Sequence, residues 1–355
     1  MKKQLKILFT DVGHLVTGST LEDLKRQGDD FYIVGIDNTR DTMGDLWVDK
    51  FYLISKPSEP NYIKDLYGVA LKESVDLIVP WTNEEALLIA KNAKIFSDSG
   101  IKILNNTEEM IYSVVDKGLM FDNLKSKGFP VPNYKLAFNI KDLKEAVLEL
   151  GYPDNPVVVK PRSLSGERGF CIIDNKTELD KRGFGNKLPL NAFLSLLEES
   201  GKVSNLDYVV MDFLAGRDFS VDCLCKDGEA LFILPRTRVN AMGGVSLIAE
   251  FTDDQKVRKQ VEKVIEDFGF SYNVNIQLKY KEADSSGTPY IYDINPRISG
   301  TIVANSGAGI NLLYYGIRLA LNMSIPDKSE LKYDGVKMVR YWQQKFVKTN
   351  RQFNP

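Results

Sequence analysis

Histidine and cysteine are scarce in this sequence. A single histidine, His14, occurs in 355 residues, which excludes a histidine-rich metal site and argues against histidine-based catalysis. The three cysteines are Cys171, Cys223 and Cys225. Their odd number, and the alternation of the last two within a strand-like stretch, fit neither a disulfide framework nor a zinc ribbon. We therefore expect a reducing, cytoplasmic environment.

Long apolar runs and an excess of one charge are also missing. No apolar run approaches the ~20 residues needed to cross a bilayer. The first apolar run, 7–9, is predicted to be a strand and not part of a signal peptide. A net charge of −2 provides no general attraction to nucleic acid or to an anionic membrane. We therefore expect neither nucleic acid nor membrane as a partner.

Two common nucleotide-binding signatures are absent. Gly13 and Gly18 do not have the G-x-G-x-x-G spacing of a dinucleotide fold, and the loop after the predicted strand 157–161 lacks the G-K-[ST] end of a Walker A loop. Asp37, at the end of a predicted strand, is a candidate ribose ligand, but the glycines that would support this role are missing.

The chain length implies more than one packed unit. At 355 residues the chain exceeds what one ordinary core accommodates, so two or three units are expected. The first third alternates strands with helices, which predicts a parallel sheet flanked by helices. Its predicted strands are 6–10, 32–37 and 76–80.

Polar residues follow the third of these strands. Trp81, Thr82 and Asn83 precede Glu84 and Glu85 at the carboxyl end of a strand, where open α/β sheets place ligands. Thr82 or Asn83 is also suited to cap a helix, whose positive end favours glutamates. The stretch is either a substrate site or, more simply, a capped helix start.

The stretch from 290 to 300 contains the clearest candidate for a functional site. Asp293 and Asn295 are two positions apart on a predicted strand, so both side chains point to one face. Pro296 ends the strand and Arg297 follows. Hard oxygen ligands beside a guanidinium suit a magnesium-bound phosphate. The alternative is a strand that ends in a solvated polar turn.

Another predicted strand, 273–279, precedes this one. A Ser-Ser-Gly turn at 285–287 joins the two strands into a hairpin. Gln277 then lies near Asp293 and Asn295, so these three side chains can converge on one metal ion.

A polar loop follows the predicted strand 157–161. Lys160 ends a β-branched run, and on a buried strand its ammonium can enter a cleft and requires a counter-ion. Backbone N–H groups of the loop can approach phosphate oxygens, although an ordinary hairpin turn is the alternative. The loop contains two serines and two glycines at short spacing: Ser163, Ser165, Gly166 and Gly169.

Two further strands have polar faces. Arg236 and Arg238 occupy alternate positions of one strand, and paired guanidiniums suit phosphate or a substrate carboxylate, with ion pairs as the alternative. Asp218 begins an alternating strand, where its carboxylate can accept both hydroxyls of a ribose. The backbone at 211–214 can hydrogen-bond an adenine edge.

Taken together, these stretches resemble the ATP-grasp superfamily, and most of all the carboxylate–amine ligases related to the carbamoyl-phosphate synthase large chain. The resemblance covers nearly the whole chain and depends on five weak motifs in the family's order. It implies that Lys117 and Lys160 bind phosphates and that 163–170 is the glycine-rich loop. The residues implied to form the adenine-binding hinge are Met211, Asp212, Phe213 and Leu214.

The resemblance also assigns the remaining site residues. Asp218 matches the ribose-binding position, Asp293 and Asn295 the metal-binding acid and amide, and Arg297 the arginine that meets the transferred phosphate. The first metal-ligand position, usually acidic, is Gln277, so we expect weaker or differently shared metal binding. Because Asp218 is one methylene shorter than the family's glutamate, the nucleotide is expected to shift slightly.

The implied fold class is α/β and α+β in three parts. A Rossmann-like pre-ATP-grasp domain is expected at 1–115, a lid subdomain at 116–205, and an antiparallel-sheet subdomain with the metal site at 206–355.

The implied function is an ATP-dependent carboxylate–amine ligase of the EC 6.3 type. An acyl phosphate would form, and an amine would then yield the amide, ADP and phosphate. The expected cofactors are ATP and Mg²⁺, with Mn²⁺ as a substitute, and the expected partners are a small carboxylate, a small amine and a second copy in a homodimer. Arg236 or Arg238 would anchor the substrate carboxylate.

Two other functions are compatible with the same residues. One is a kinase-like enzyme that phosphorylates a carboxylate or carbamate without ligation. The other is a nucleotide-binding regulatory protein with weak catalysis, which the neutral side chain of Gln277 favours. No residue identifies the acid or the amine.

Overall fold

Three β-sheets organise the part of the chain that the structure describes. The computed structural model describes residues 3–40, 42–163, 169–176, 187–201, 206–242, 244–326, 333–341 and 343–344. The predicted residues Ser165 and Gly166 lie outside these ranges. Among the described residues, no helix combines the length and the apolar character that crossing a membrane requires.

The first sheet has five parallel strands in the order β3-β2-β1-β4-β5. The chain adds strands on one side of β1 and then returns to the other side, so β1 and β4 flank a topological switch point, where open α/β sheets bind ligands. The predicted parallel sheet is confirmed. Its elements are β1 (Leu5–Phe9), α1 (Thr17–Lys25), β2 (Phe31–Asp37), a 3-10 turn (Met43–Leu46), β3 (Lys50–Leu53), α2 (Tyr62–Glu73), β4 (Leu77–Val79), α3 (Asn83–Lys91), α4 (Ala93–Asp98), β5 (Lys102–Ile103) and α5 (Glu108–Val115).

Local signals set the start of α3. Thr82 caps the helix by accepting the backbone N–H of Glu85, whose side chain accepts the N–H of Thr82 in return. This capping box confirms the capped helix start, and four residues of the stretch also line a cleft: Trp81, Thr82, Glu84 and Glu85. The helical stretch that follows this cap consists of two helices, α3 and α4, separated at Asn92.

The second sheet has the order β6-β10-β7-β8-β9, with β10 antiparallel to both of its neighbours. Strand β10 therefore pairs in the second sheet, although it follows the predicted boundary at 205/206. We propose a division of the chain into three parts, 1–115, 116–205 and 206–355. The sheet of the second part then includes one strand, β10, from the start of the third part. The elements of this region are α6 (Lys117–Ser126), β6 (Tyr134–Ala137), α7 (Ile140–Glu149), β7 (Val157–Pro161), β8 (Cys171–Ile173), β9 (Lys187–Leu188), α8 (Leu190–Glu199) and β10 (Tyr208–Asp212).

The third sheet is antiparallel, with the order β15-β14-β11-β12-β13-β16. Helix α9 begins at the side-chain cap of Asp254 and ends at Gly269, which adopts the left-handed conformation typical of a helix end. The elements are β11 (Asp218–Lys226), β12 (Glu229–Met242), β13 (Val245–Phe251), α9 (Gln255–Phe268), β14 (Tyr272–Lys279), β15 (Tyr290–Asn295), α10 (Ala304–Gly307), α11 (Leu312–Ala320) and β16 (Lys337–Val339).

Shared cores connect the sheets. One cluster of buried side chains joins the first sheet to the third, for example Phe9 and Trp81 with Leu234 and Ile310. A second cluster packs α6 and β10 against the opposite face of the third sheet. The first and second sheets therefore both pack against the third sheet. One cleft is lined by residues at the ends of five strands: β1, β4, β7, β10 and β15.

Candidate active site

One cleft of about 750 Å³ lies between the three sheets. It extends from the switch point of the first sheet to the end of β10 and the segment that follows, where Met211, Phe213 and Leu214 line it. Its cationic lining side chains are Lys117, Lys160, Arg236, Arg238, Lys279 and Arg297.

The predicted metal ligands meet on two paired strands. Gln277 of β14 is the register partner of Asp293 of β15, beside a β-bulge. The amide nitrogen of Asn295 donates to the Asp293 carboxylate at 2.9 Å. Arg238 donates to the side-chain oxygen of Gln277 at 3.4 Å. One carboxylate with two amide oxygens fits Mg²⁺, which usually binds proteins through one or two carboxylates and completes its shell with phosphates and water.

Asp293 is held in its charged form. Burial by itself raises the pKa of this carboxyl, but Lys117, Lys160 and the hydrogen bond from Asn295 together hold the pKa below its usual range. The Lys117 ammonium is 3.8 Å from the carboxylate. The carboxylate is therefore ionised at neutral pH and available to a cation.

Lys160 lies at the end of β7 and is buried. Its ammonium donates to the carbonyl of Tyr292 at 2.8 Å and lies 5.5 Å from the ring centroid of Phe121. Burial lowers the pKa of Lys160 to about 7, with a further lowering by Lys117 and a partial offset by Asp293. A single backbone acceptor and aromatic faces solvate an ammonium poorly, so an anion in the cleft gains a strong partner here.

Lys117 is positioned by the start of α6. Asp116 caps the helix through the N–H of Leu119 and forms an ion pair with Arg162 at 2.5 Å. The backbone N–H of Lys117 donates to the carbonyl of Arg162 at 3.1 Å. These contacts connect Lys117 to Arg162, which lies two residues after Lys160. The same contacts therefore help to position both lysines.

Arg297 is anchored by a residue of the first sheet. Its Nε donates to Oδ1 of Asn83 at 3.1 Å, and Nδ2 of Asn83 donates to Oδ1 of Asn295 at 2.9 Å. Arg297 also donates to Asn295 at 3.2 Å. Burial lowers the pKa of Arg297 to about 10, and the charge of Asp293 opposes this shift. One amide from α3 therefore orients both the metal-binding amide and the arginine.

Replacing Asn83 with alanine is expected to reduce Mg²⁺-dependent turnover of ATP by about 10- to 100-fold, the usual range for residues that orient metal ligands. The half-saturating Mg²⁺ concentration should rise, because Asn295 loses its support. The measurement is ADP release titrated with Mg²⁺. The exposed Asn61 at the start of α2 provides a matched control, Asn61→Ala. Unchanged Mg²⁺ dependence in Asn83→Ala would contradict this role.

The two predicted arginines have different surroundings. Arg236 is completely buried and forms an ion pair with Asp222, in addition to hydrogen bonds with Ser220 and Ser299 at 3.3 Å each. Arg238 instead contacts Gln277 and, at 3.2 Å, the hydroxyl of Tyr292. Both line the cleft, as their shared strand face predicts.

Asp218 lies beside Tyr292 at the start of β11. The Tyr292 hydroxyl donates to the carboxylate at 2.7 Å, and Arg238 is 3.9 Å away. The importance of Tyr292 was not predicted, because strict two-residue alternation would place its side chain on the face opposite Asp293. The β-bulge between Gln277 and Leu278 instead allows both residues to line the cleft. Its hydroxyl and carbonyl nevertheless connect Asp218, Arg238 and Lys160.

Some predicted nucleotide ligands lie at the rim or outside the cleft lining. The Asp212 carboxylate accepts a hydrogen bond from the Asn133 side chain at 2.8 Å, so it fixes the segment between β10 and β11. Ser163 is exposed. Gly169 has φ +74°, and a Cβ there would lie 2.8 Å from Pro161, so only glycine fits as the chain returns toward β7.

Asp37 also lines the cleft, but its carboxylate already accepts two backbone hydrogen bonds. It accepts the backbone N–H of Gly13 at 2.8 Å and of Thr39 at 2.9 Å. These bonds support the loop after β1, which accounts for this carboxylate without a ribose.

Comparison with known proteins finds a family model that matches part of the chain and solved structures with a similar fold. The family model described as "ATP-grasp in the biosynthetic pathway with Ter operon" matches residues 204–344. The structure of N5-carboxyaminoimidazole synthetase from Staphylococcus aureus complexed with ADP is similar with a TM-score of 0.68 and 16% identity, over 93% of this chain and 81% of that chain. This chain has the ATP-grasp fold. The predicted fold class is confirmed.

Two other proteins are similar to this chain, one in fold and one in sequence. An L-amino acid ligase from Bacillus licheniformis is similar with a TM-score of 0.64 and 16% identity, over 95% of this chain and 78% of that chain. The carbamoyl phosphate synthase large chain of Streptomyces griseus subsp. griseus is 25% identical over 296 residues. That match covers 78% of this chain and 24% of the relative, so the chain spans about a quarter of the length of such relatives.

Proposed function

We propose that this protein is an ATP-grasp enzyme, an ATP- and Mg²⁺-dependent ligase that joins a small carboxylate to a small amine. The observation that carries this proposal is the convergence of Lys117, Lys160, Asp293 and Arg297 in one buried part of the cleft. Phosphoryl transfer requires mainly positioning and charge neutralisation, which these groups supply without a nucleophilic side chain.

The first half-reaction transfers a phosphoryl group. A carboxylate oxygen of the acid attacks the γ-phosphorus, the bond to the β–γ bridging oxygen breaks, and ADP leaves with an acyl phosphate remaining. Lys117 and Lys160 would hold the phosphates, and Arg297 would stabilise the migrating group. Mg²⁺ would be held by Asp293, Asn295 and Gln277, and it would neutralise charge on the phosphates.

The second half-reaction forms the amide. The amine nitrogen attacks the acyl carbon, the carbon–oxygen bond to phosphate breaks, and the nitrogen loses a proton as phosphate leaves. Met211, Phe213 and Leu214 would receive the adenine, with Asp218 at the ribose. The fold neighbours support this assignment, since their names describe an ADP complex and an amino acid ligase.

Wild-type protein should release ADP only when Mg²⁺, an acid and an amine are all present. We expect this result from a panel of amino acids and other small acids and amines, with the amide identified by mass spectrometry. If the acid carboxylate is labelled with ¹⁸O, one labelled oxygen should appear in the released phosphate, because the acyl carbon–oxygen bond breaks. Absence of Mg·ATP binding would overturn the proposal.

The same assay separates two other functions. ADP release with a phosphorylated acid and no amide would identify a kinase-like enzyme. Mg·ATP binding without turnover would identify a regulatory protein, a function that the contact of Arg238 with Gln277 favours because a cation there weakens metal binding. In either case the ligase proposal fails.

A further inference from the structure

Lys279, at the end of β14, differs from the other cationic side chains that line the cleft. Within the described part of the chain its ammonium forms no hydrogen bond and no ion pair, although the side chain is only partly exposed. The ammonium instead lies 5.2 Å from the ring centroid of Phe213. Five other cations of the cleft each contact a protein oxygen: Lys117, Lys160, Arg236, Arg238 and Arg297. An ammonium that is partly withdrawn from water and has no acceptor is costly in free energy, so a ligand is expected to supply the acceptor.

The strand pairing places Lys279 beside Asp218. The two residues are register partners on the antiparallel strands β14 and β11, so their side chains leave the same face of the sheet. Asp218 attracts the ammonium and Arg238 repels it. The carboxylate of Asp218 accepts a hydrogen bond from Tyr292 at 2.7 Å and forms no ion pair with Lys279 among the described residues. A charged donor and a charged acceptor are therefore neighbours without contacting each other.

A sugar hydroxyl has the chemistry that these two groups require. Its oxygen accepts a hydrogen bond from an ammonium, and its O–H donates to a carboxylate. A carboxylate has about four acceptor positions, so Asp218 can accept this O–H in addition to the hydroxyl of Tyr292. A phosphate or carboxylate oxygen of a ligand has no proton to donate and would be repelled by Asp218.

We propose that Lys279 and Asp218 together bind one hydroxyl of the nucleotide ribose, and that Lys279 thereby makes the protein selective for ribonucleotides over deoxyribonucleotides. This inference rests on the nucleotide site of the proposed function. In a nucleotide the ribose is bonded directly to the base. Lys279 contacts Phe213, which belongs to the segment that would receive adenine, and it is paired with Asp218 on the other side. A side chain between these two residues is therefore placed to meet the sugar.

Calorimetric binding of ATP, 2′-deoxy-ATP and 3′-deoxy-ATP, each with Mg²⁺, tests this role without any turnover. The wild type should bind ATP about 10- to 100-fold more tightly than at least one of the deoxy analogues, the usual effect of hydrogen bonds to charged groups. Lys279→Met should weaken ATP binding by about 10-fold and leave the affinity for that analogue unchanged. The discrimination between the two nucleotides should therefore fall by about 10-fold, as in a double-mutant cycle between the ammonium and the hydroxyl.

Two further variants serve as controls. The exposed Lys281, two residues further along the chain, provides Lys281→Met, which should keep the full discrimination of the wild type. Lys279→Gln keeps a neutral donor and should retain part of the discrimination. Thermal unfolding should give Lys279→Met a melting temperature close to that of the wild type, because its ammonium contacts only one ring.

The same measurements separate this inference from the proposed function. An equal loss of affinity for all three nucleotides in Lys279→Met would mean that Lys279 acts on the phosphates or the base, and it would overturn the inference. Equal affinity of the wild type for all three nucleotides would also overturn it, while the ligase function stands. If the wild type binds Mg·ATP with discrimination but releases no ADP with any acid and amine, the ligase function fails and the ribose contact stands.

Discussion

Replacing Asp293 with asparagine is expected to lower Mg²⁺-dependent ADP release by about 10²- to 10³-fold, among the largest effects of any single substitution in the cleft. The Asp293 carboxylate lies beside the side-chain amides of Asn295 and Gln277. Its replacement leaves three neutral oxygens beside the Lys117 ammonium. A divalent cation in that position would meet net repulsion.

Steady-state ADP release and calorimetric Mg·ATP binding measure this effect. Asp154→Asn, at an exposed turn position before β7, is the matched control and should behave like the wild type. Circular dichroism should show that Asp293→Asn is folded, since the substitution preserves shape. If Asp293→Asn released ADP as fast as the wild type, the metal site would not lie on β15.

Replacing Lys160 with methionine is expected to weaken ATP binding by about 100-fold. The ammonium is buried, with the carbonyl of Tyr292 and the ring of Phe121 beside it, so a phosphate bound there would not compete with bulk water for it. Methionine keeps the volume of the side chain and removes only the charge. Calorimetry with ATP, with and without Mg²⁺, measures the loss.

The pKa of Lys160 adds a pH signature. With a pKa of about 7 in the unliganded protein, Lys160 is mostly charged at pH 6 and mostly neutral at pH 8. A bound phosphate stabilises the charged form and raises the pKa, so binding at pH 8 takes up nearly one proton. The association constant should therefore fall as pH rises above 7, by up to roughly tenfold per unit.

Calorimetry in buffers with different ionisation enthalpies counts the proton. Its uptake at pH 8 should be present in the wild type and in the exposed-residue control Lys94→Met, and absent from Lys160→Met. Equal proton uptake in Lys160→Met would mean that another group titrates. This comparison also corrects for protonation of ATP itself, which is common to all three proteins.

Local sequence patterns were sufficient where the physical cause is local. The two-residue periodicity of β15 places Asp293 and Asn295 on one face in any sheet, because it follows from strand geometry. The Ser-Ser-Gly turn brings β14 beside β15 and so brings Gln277 opposite Asp293. The capping box at Thr82 likewise needs only four consecutive residues.

Other features depend on the order of the strands and on the shared cores. Asn83 contacts Asn295 across 212 positions, because the switch point of the first sheet faces the end of β15. No local pattern distinguishes this asparagine from one that only begins a helix. Strand β10 joins the second sheet for a similar reason, since it finds its hydrogen-bond partners in β6 and β7.

The alternation of Arg236 and Arg238 along β12 was visible in the sequence, and it correctly predicted one shared face. It did not reveal that Arg236 is buried against Asp222. The sequence by itself therefore determined which residues share a face, a turn or a cap. Only the tertiary structure decided which of these charges meet a partner and which remain available to a ligand, because burial and electrostatic pairing arise between elements distant in the chain.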